Sequence, residues 1–460
     1  MELIKLSSFF TACNPSQVLT FNQATDRQYY LDFAKLRRSV KQFRRTINLS
    51  PQKPTCHYLS GFPGSGKTTE LNYLAMELAH QNFAVVAIDA AKHLNLADLE
   101  LVDLLLLIWW QIVGQVNGQL AAAQGSSQSG MDLELKSDYL DRFLIEVLEQ
   151  SAIDLPEVNN FNDLGDRLGA AVLVMQRSGE LRHQIRPAWE PKLKSLIEAV
   201  NQDLLAKIKP LLKQNSLKGL VVIVDNLDRL RSAQAQQLFM AKQDLLQLLS
   251  CHLVLSVPAV IYFNPEFNSI QTTQSLGAGA NANKTQPESV VLSCLPVAPD
   301  NPGDHNQGLE LLGQMILARA FPNLTPSDRL GQMHEICDRP QTLQRLCELS
   351  GGNTQQLLQY IYGCLQREDL PIRQNTLSEV IRALQSNLLA TISAVEKQRL
   401  DYVRQHHRLP AEVYGRSPEA RDAKQDVRAG YLDLLARSLL LEYADGQGFW
   451  YGVNPVLELN

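Results

Sequence analysis

One stretch of the chain has the residue types and spacing needed to hold a polyphosphate. Gly61-Phe62-Pro63-Gly64-Ser65-Gly66-Lys67-Thr68 fits G-x-x-x-x-G-K-[ST] at every fixed position. Glycines let backbone N–H groups turn toward phosphate oxygens, and a following helix adds the positive end of its dipole. Lys67 has the reach for the terminal phosphates, and the Thr68 hydroxyl is a candidate Mg²⁺ ligand. With Thr69 beside them, Gly61 to Thr69 form the candidate phosphate-contacting set. Such a cradle needs a strand before it and a helix after it. Cys56 to Leu59 reads as a short buried strand, and Leu71, Leu74, Ala75 and Leu78 recur at helical spacing.

A second stretch carries the carboxylate that this chemistry calls for. In LVVIVDNLDRL, Leu220 to Leu230, five apolar residues run into Asp225. A continuous β-branched run suits a parallel strand buried on both faces, and an acid at its carboxyl end lies beside the phosphate-binding turn. Asp225 is therefore the candidate second Mg²⁺ group, acting through water. Asp228 is the nearest spare carboxylate. It is the candidate base for an attacking water, or else it pairs with Arg229 or Arg231 or caps a helix. Phe83 to Ala90, His252 to Phe263 and Val290 to Pro296 supply three more core strands. The fold class is α/β, with a parallel sheet.

These residues together resemble the P-loop ATPases of the additional-strand division, and within it the STAND and AAA-like group that includes origin-recognition-like ATPases. The motifs carrying the resemblance are GFPGSGKTTEL, the D-x-L-D-R string Asp225 to Arg229, and the later SGGNTQQLL. The resemblance implies a P-loop NTPase sheet, a helical lid, often a C-terminal winged helix, and ATP with Mg²⁺ as ligands. Many members carry Glu after the strand-end Asp as the base; here Asn226 stands there, which can orient water but cannot take a proton. A polar group at the next strand end often senses the γ-phosphate, which makes Ser256 a candidate, or a satisfied core serine. The lid's double glycine is commonly followed by Arg or Pro; here Gly351-Gly352-Asn353-Thr354-Gln355-Gln356 has Gln. Arg319 and Arg345, on neighbouring helices, are substitutes for that sensor or else solvated surface groups.

The elements that must position these groups divide the chain into an N-terminal approach segment (1–50), an ATPase core (51–300), a helical lid (301–383) and a winged-helix-like domain (384–460). Lys67 and Asp225 lie 158 residues apart, too far for one strand-helix-strand step, so the core holds a helical insertion at about 112–216. Gln119 to Gly130 and Gln271 to Gln286 are small and polar and read as loops. Arg182 to Leu212 has the period of an amphipathic helical pair. In the approach segment, Arg37, Arg38, Lys41, Arg44 and Arg45 crowd one helical stretch, and Tyr29 or Tyr30 is available to face an adenine ring. Leu439 to Tyr443 and Phe449 to Val453 alternate around a glycine turn and read as a hairpin.

Composition excludes several classes. Of 460 residues, 45% are apolar and 20% charged, which rules out general disorder. A net charge of −5 is not that of an overall polycation. Between Asp401 and Arg437, seven basic residues face six acidic ones, so DNA binding by the C-terminal part is possible but not favoured. Seven scattered cysteines without C-x-x-C point to a reduced, cytoplasmic protein. The start lacks a signal-peptide core, and Leu104 to Trp110, LLLLIWW, is too short to span a membrane and reads as a buried helix. The expected function is an ATP-hydrolysing regulatory switch with a protein partner or self-association. The alternatives are a nucleotide-binding scaffold with little turnover and a DNA-associated ATPase.

Overall fold

A computed structural model of the chain describes residues 6–123, 139–140, 142–143, 146, 179–263, 288–297, 306–414, 421–444 and 448–458. Its centre is a five-stranded sheet: β1 (Cys56–Gly61), β2 (Ala84–Asp89), β3 (Leu220–Asp225), β4 (His252–Ser256) and β5 (Glu288–Leu292). The order is β2-β3-β4-β1-β5, and every pairing is parallel. One strand, β4, therefore stands between the strand that ends at Gly61 and the strand that ends at Asp225.

Both faces of the sheet are covered, which is why the strands read as unbroken apolar runs. Val222 and Val224 of β3, with Tyr58, Val86 and Leu253, pack on one side against the helical insertion. Val221 and Ile223, with Leu59, Val85 and Val254, pack on the other. That second face is closed by α3 (Lys41–Leu49) and α4 (Lys67–His80), through Phe43, Ile47, Leu71, Leu74 and Leu78. Upstream lie α1 (Leu6–Ala12) and α2 (Ala24–Tyr29), and the turn α5 (Ala90–His93) follows β2.

The insertion begins earlier than its loop-like composition indicates. Helix α6 (Leu101–Ala123) runs through Gln119 to Ala123, five residues read from sequence as the start of a loop. The remainder of that loop, and all of Gln271 to Gln286, lies outside the described residues. Every residue from Leu101 to Trp109 is buried, Asp103 included, so the LLLLIWW run is the all-round apolar part of a core helix. Among the described residues no helix is long and apolar enough to cross a membrane. Helix α6 also covers the outer edge of β2. Gln115 Oε1 accepts the Ala87 N–H at 3.1 Å while its Nε2 donates to the Ala87 carbonyl at 2.8 Å, and Gln119 Nε2 donates to the Val85 carbonyl at 2.6 Å. The insertion continues with α7 (Gly179–Trp189), α8 (Leu193–Asp203) and α9 (Lys209–Gln214). Arg186 of α7 ties it to the start of α6 through Asp98 and Asp103, both at 2.7 Å. Short helices α10 (Ser232–Gln236) and α11 (Gln243–Leu246) join β3 to β4.

From Asn306 the chain is helical: α12 (Gln307–Ala320), α13 (Pro326–Gly331), α14 (Pro340–Leu349), α15 (Thr354–Leu365) and α16 (Gln374–Ala390), of which α12, α14, α15 and α16 share one core around Leu317, Leu346 and Ile361. Then come α17 (Ala394–His406), α18 (Arg421–Ala436) and the antiparallel hairpin β6 (Leu440–Ala444) and β7 (Phe449–Val453), with a separate core around Val403, Leu434 and Val453. All seven cysteines are buried free thiols.

Candidate functional site

Parallel strands of this topology leave a crevice at their carboxyl ends. There the chain places Gly61 at the end of β1 and Asp225 at the end of β3. The turn from β1 into α4 needs left-handed backbone, with φ +80° at Gly64 and +92° at Gly66. Gly64 is also sterically required: a Cβ there would fall 2.2 Å from Asn353 Oδ1. Helix α4 starts at Lys67, so its first N–H groups face the turn.

Lys67 is only 9% exposed. Its Nζ donates to the carbonyls of Gly61 at 2.8 Å and Phe62 at 3.2 Å, and pairs with Asp228 Oδ2 at 3.1 Å. The sequence alternatives for Asp228, a pair with Arg229 or Arg231, are replaced by this contact. The Thr68 hydroxyl lies beside Asp225 and favours its charged form. Burial pushes the Asp225 carboxyl above the usual range, and the charge of Asp228 adds to that, while Thr68, the Asn226 N–H and Lys67 oppose it. Asn226 adopts φ +66° and donates its N–H to Asp225 Oδ1 at 2.7 Å. Its side-chain amide is spent on Asp89 Oδ1, also at 2.7 Å. Lys67, Thr68, Asp225 and Asp228 thus meet in one place.

Lys67, Thr68, Asn226 and Asp228 border a cavity of about 870 Å³. Its walls come from the loop and α4 (Gly64, Lys67, Thr68, Thr69), the N-terminal segment (Tyr29, Tyr30), α12 (Met315, Arg319), α15 (Gln355, Leu358) and α18 (Leu432, Asp433). Both candidate tyrosines line it. Tyr30 stacks on Tyr73 with ring centroids 4.3 Å apart, and Tyr29 lies under the Arg319 guanidinium.

Two sequence expectations are corrected, and of the two readings of Ser256 the core serine holds. Ser256 is fully buried, and its Oγ accepts the Leu227 N–H at 3.0 Å, so it fastens the turn after β3 instead of facing the cavity. Arg319 is no surface group: it is 8% exposed and donates to the carbonyls of Ala12 and Met315. Arg345 is the solvated one, pairing with Glu348 on its own helix. The basic run Arg37 to Arg45 is not one helix either, because α3 begins only at Lys41.

The structure adds four residues to this site whose contacts local sequence did not mark. Arg37 is buried beneath Phe33, and its Nη1 donates to Ser65 O at 2.7 Å and to Ser293 O at 3.0 Å. Glu70 faces it at 3.6 Å. From the start of α15, Asn353 Nδ2 donates to Pro63 O and the Thr354 hydroxyl to Gly64 O, each at 3.0 Å. Asn353 is legible as a helix cap after two glycines, and its Oδ1 does accept the Gln355 and Gln356 N–H groups. Nothing local betrays the reach to the loop.

The C-terminal hairpin docks behind the same loop. The Cys294 N–H donates to Glu442 O at 2.8 Å, and the Tyr443 hydroxyl to Gly351 O at 2.9 Å. Glu442 lines a small crevice with Phe62, Pro63, Ser65 and Asn353. Its Oε2 accepts the Tyr451 hydroxyl at 3.2 Å, and its Oε1 meets no donor among the described residues. Burial raises its pKa from 4.5 to about 7, with Tyr451 offsetting part of the rise. The folded state therefore holds the proton that the unfolded chain releases. Stability from this group is full below the ordinary carboxylate range and is lost as pH climbs to about 7. Glu442→Gln should match wild type in urea melts at pH 5 and exceed it at pH 8; parallel pH dependence in both would contradict the assignment.

Comparison with known proteins is consistent with this geometry. Residues 37–260 match the model of the KAP family P-loop domain, and the chain carries a P-loop NTPase domain. No curated protein matches the chain. Among solved structures, it is similar to the Walker-type ATPase PABY2304 of Pyrococcus abyssi, at 12% identity over 94% of this chain and 98% of that one. It is also similar to Cdc6p from Pyrobaculum aerophilum, at 13% identity over 97% and 94%. Both TM-scores are 0.35, too low for either likeness to carry an inference.

Proposed function

We propose that this chain is a Mg²⁺-dependent ATP-binding switch of the STAND/AAA-like type, cytoplasmic, in which ATP joins the core (51–300) to a helical lid (301–383) and a winged-helix-like domain (384–460), and hydrolysis releases them. The observation that supports this most is the single cavity whose walls come from all of these segments and whose floor is the phosphate loop. The residues fit the ligands. The loop offers turned N–H groups and one ammonium for phosphates, and a hydroxyl beside a carboxylate suits a hard cation. Lys67 is the phosphate clamp; Thr68 and Asp225 are the residues to hold Mg²⁺, which when bound supplies charge neutralisation to the phosphates. Asp228 is the candidate base. Because it pairs with Lys67 here, phosphate must compete for that lysine before Asp228 is free to accept a proton.

The same pair favours one second reading. With Asp228 on Lys67 and the Asn226 amide on Asp89, neither polar group after β3 is held ready for a water. That suits a nucleotide-dependent scaffold with little turnover, acting through a protein partner or self-association. Calorimetric ATP affinity with and without Mg²⁺, beside phosphate release, separates the readings. Tight binding with turnover supports the switch, tight binding without turnover supports the scaffold, and no binding removes both.

DNA association is the weaker use of the C-terminal part. Arg404 pairs with Asp401 and Glu458, Arg437 with Glu396 and Asp433, and Arg428 Nε donates to the Val413 carbonyl. The charges of Arg404 and Arg437 are thus already matched within the domain, which leaves less cationic surface to release counterions on binding a phosphate backbone. Full-length protein should show no submicromolar affinity for duplex DNA at physiological salt, and DNA should leave ATP turnover unchanged. Salt-sensitive duplex binding lost on substituting Arg421, Lys424 and Arg428 would reverse this.

A further inference from the structure

Three consecutive carbonyls of the phosphate loop are each held by a side chain from outside it. Pro63 O takes Asn353 Nδ2, Gly64 O takes the Thr354 hydroxyl, and Ser65 O takes Arg37 Nη1. In a trans peptide unit the carbonyl and the next N–H point in opposite directions. Holding these three carbonyls thus fixes the directions of the Gly64, Ser65 and Gly66 N–H groups. The Ser65 N–H closes the turn onto Phe62 O at 3.2 Å, and Gly64 and Gly66 line the cavity. The loop's donor array is therefore shaped by partners whose positions lie far from it in sequence, two of them at the start of a lid helix.

We propose that Asn353 and Thr354 are positioning residues that make phosphate affinity depend on the docking of α15, with Arg37 as the fixed counterpart on the core side. The proposal rests on the reading of the loop as a nucleotide site and states how that site is regulated. Both halves of the Asn353 amide are used: Oδ1 caps α15, and Nδ2 holds the loop. The turn before it is fastened at its other end, since Leu295 N–H donates to Gly352 O at 3.1 Å and Tyr443 to Gly351 O. A contact path thus runs from the C-terminal hairpin through Gly351 to Thr354 into the loop. A shift of α15 by more than a hydrogen-bond length removes two of the three carbonyl partners together. By linkage, phosphate binding must then favour the docked lid by the same factor.

The experiment uses the full chain. Asn353→Ser keeps a capping oxygen but is too short for Pro63 O; Thr354→Val keeps shape and loses the donor; Thr354→Ser keeps the donor. Affinities for ATP and for adenosine are measured with thermal melts. Each of the first two variants should weaken ATP about tenfold, the value of one hydrogen bond, and the pair should weaken it more. Thr354→Ser should restore near wild-type affinity, and adenosine affinity should hold throughout. The proposal is overturned if the double variant binds ATP within twofold of wild type, or if ATP and adenosine weaken equally. Should Lys67→Ala also retain ATP, the nucleotide reading itself falls, and this proposal with it.

Discussion

Lys67→Ala is expected to yield a folded chain that no longer holds ATP at useful concentrations. Lys67 Nζ rests on two loop carbonyls and on Asp228, all of which a terminal phosphate would have to replace as partners. Hydrogen bonds to charged groups contribute roughly 1.5–3 kcal/mol each, so losing two costs about 100-fold or more in affinity. Stability should change far less. The ammonium packs against no core cluster, and Asp228, left without its partner, keeps enough exposure to be solvated. Titration calorimetry beside a thermal melt reads both. Unchanged affinity in a well-folded variant would falsify the assignment of the loop.

The second large effect separates the two carboxylates after β3. Asp225→Asn should keep the fold, since an amide oxygen can still accept the Asn226 N–H, but should remove the Mg²⁺ dependence of ATP binding. Asp228→Asn should do the opposite. Binding should be kept or tightened, because Lys67 is released from its ion pair, while phosphate release drops by roughly 100-fold or more if Asp228 is the base. Tightened binding with full turnover would leave Asp228 as a brake on Lys67 and nothing more. Weakened binding in Asp228→Asn would mean that the pair supports the loop instead of competing for it.

What was legible in the sequence was what is local. The phosphate loop, its strand and its helix are contiguous, and Asp225 follows directly from the apolar run of β3. The strand that ends at Ser256 was legible too, but the direction of its last side chain was not, because the Leu227 N–H that claims it comes from another loop. Arg37 shows the same limit. Five basic residues within nine positions suggest a solvated helical face, yet α3 starts after the first two of them, and Arg37 turns inward to two carbonyls. Asn353 and Thr354 contact the loop from 290 residues away. The glutamines that read as a missing γ-phosphate sensor do not make these contacts; the two residues just before them reach the loop's own backbone. Contacts of this kind depend on how segments are packed together, which no local pattern records.

The glutamines on α6 have a consequence for assembly. A strand at the rim of a sheet is a template onto which a stranger can polymerise, because its outward amides and carbonyls are unspent. Gln115 imitates such a stranger with its own amide, donating to and accepting from Ala87 as a neighbouring strand would, and Gln119 takes the next carbonyl along. The rim of β2 is sealed by primary amides carried within the same chain. Any two copies of this protein that meet must therefore do so through other surfaces and cannot extend one continuous sheet from β2, unless α6 first lifts away.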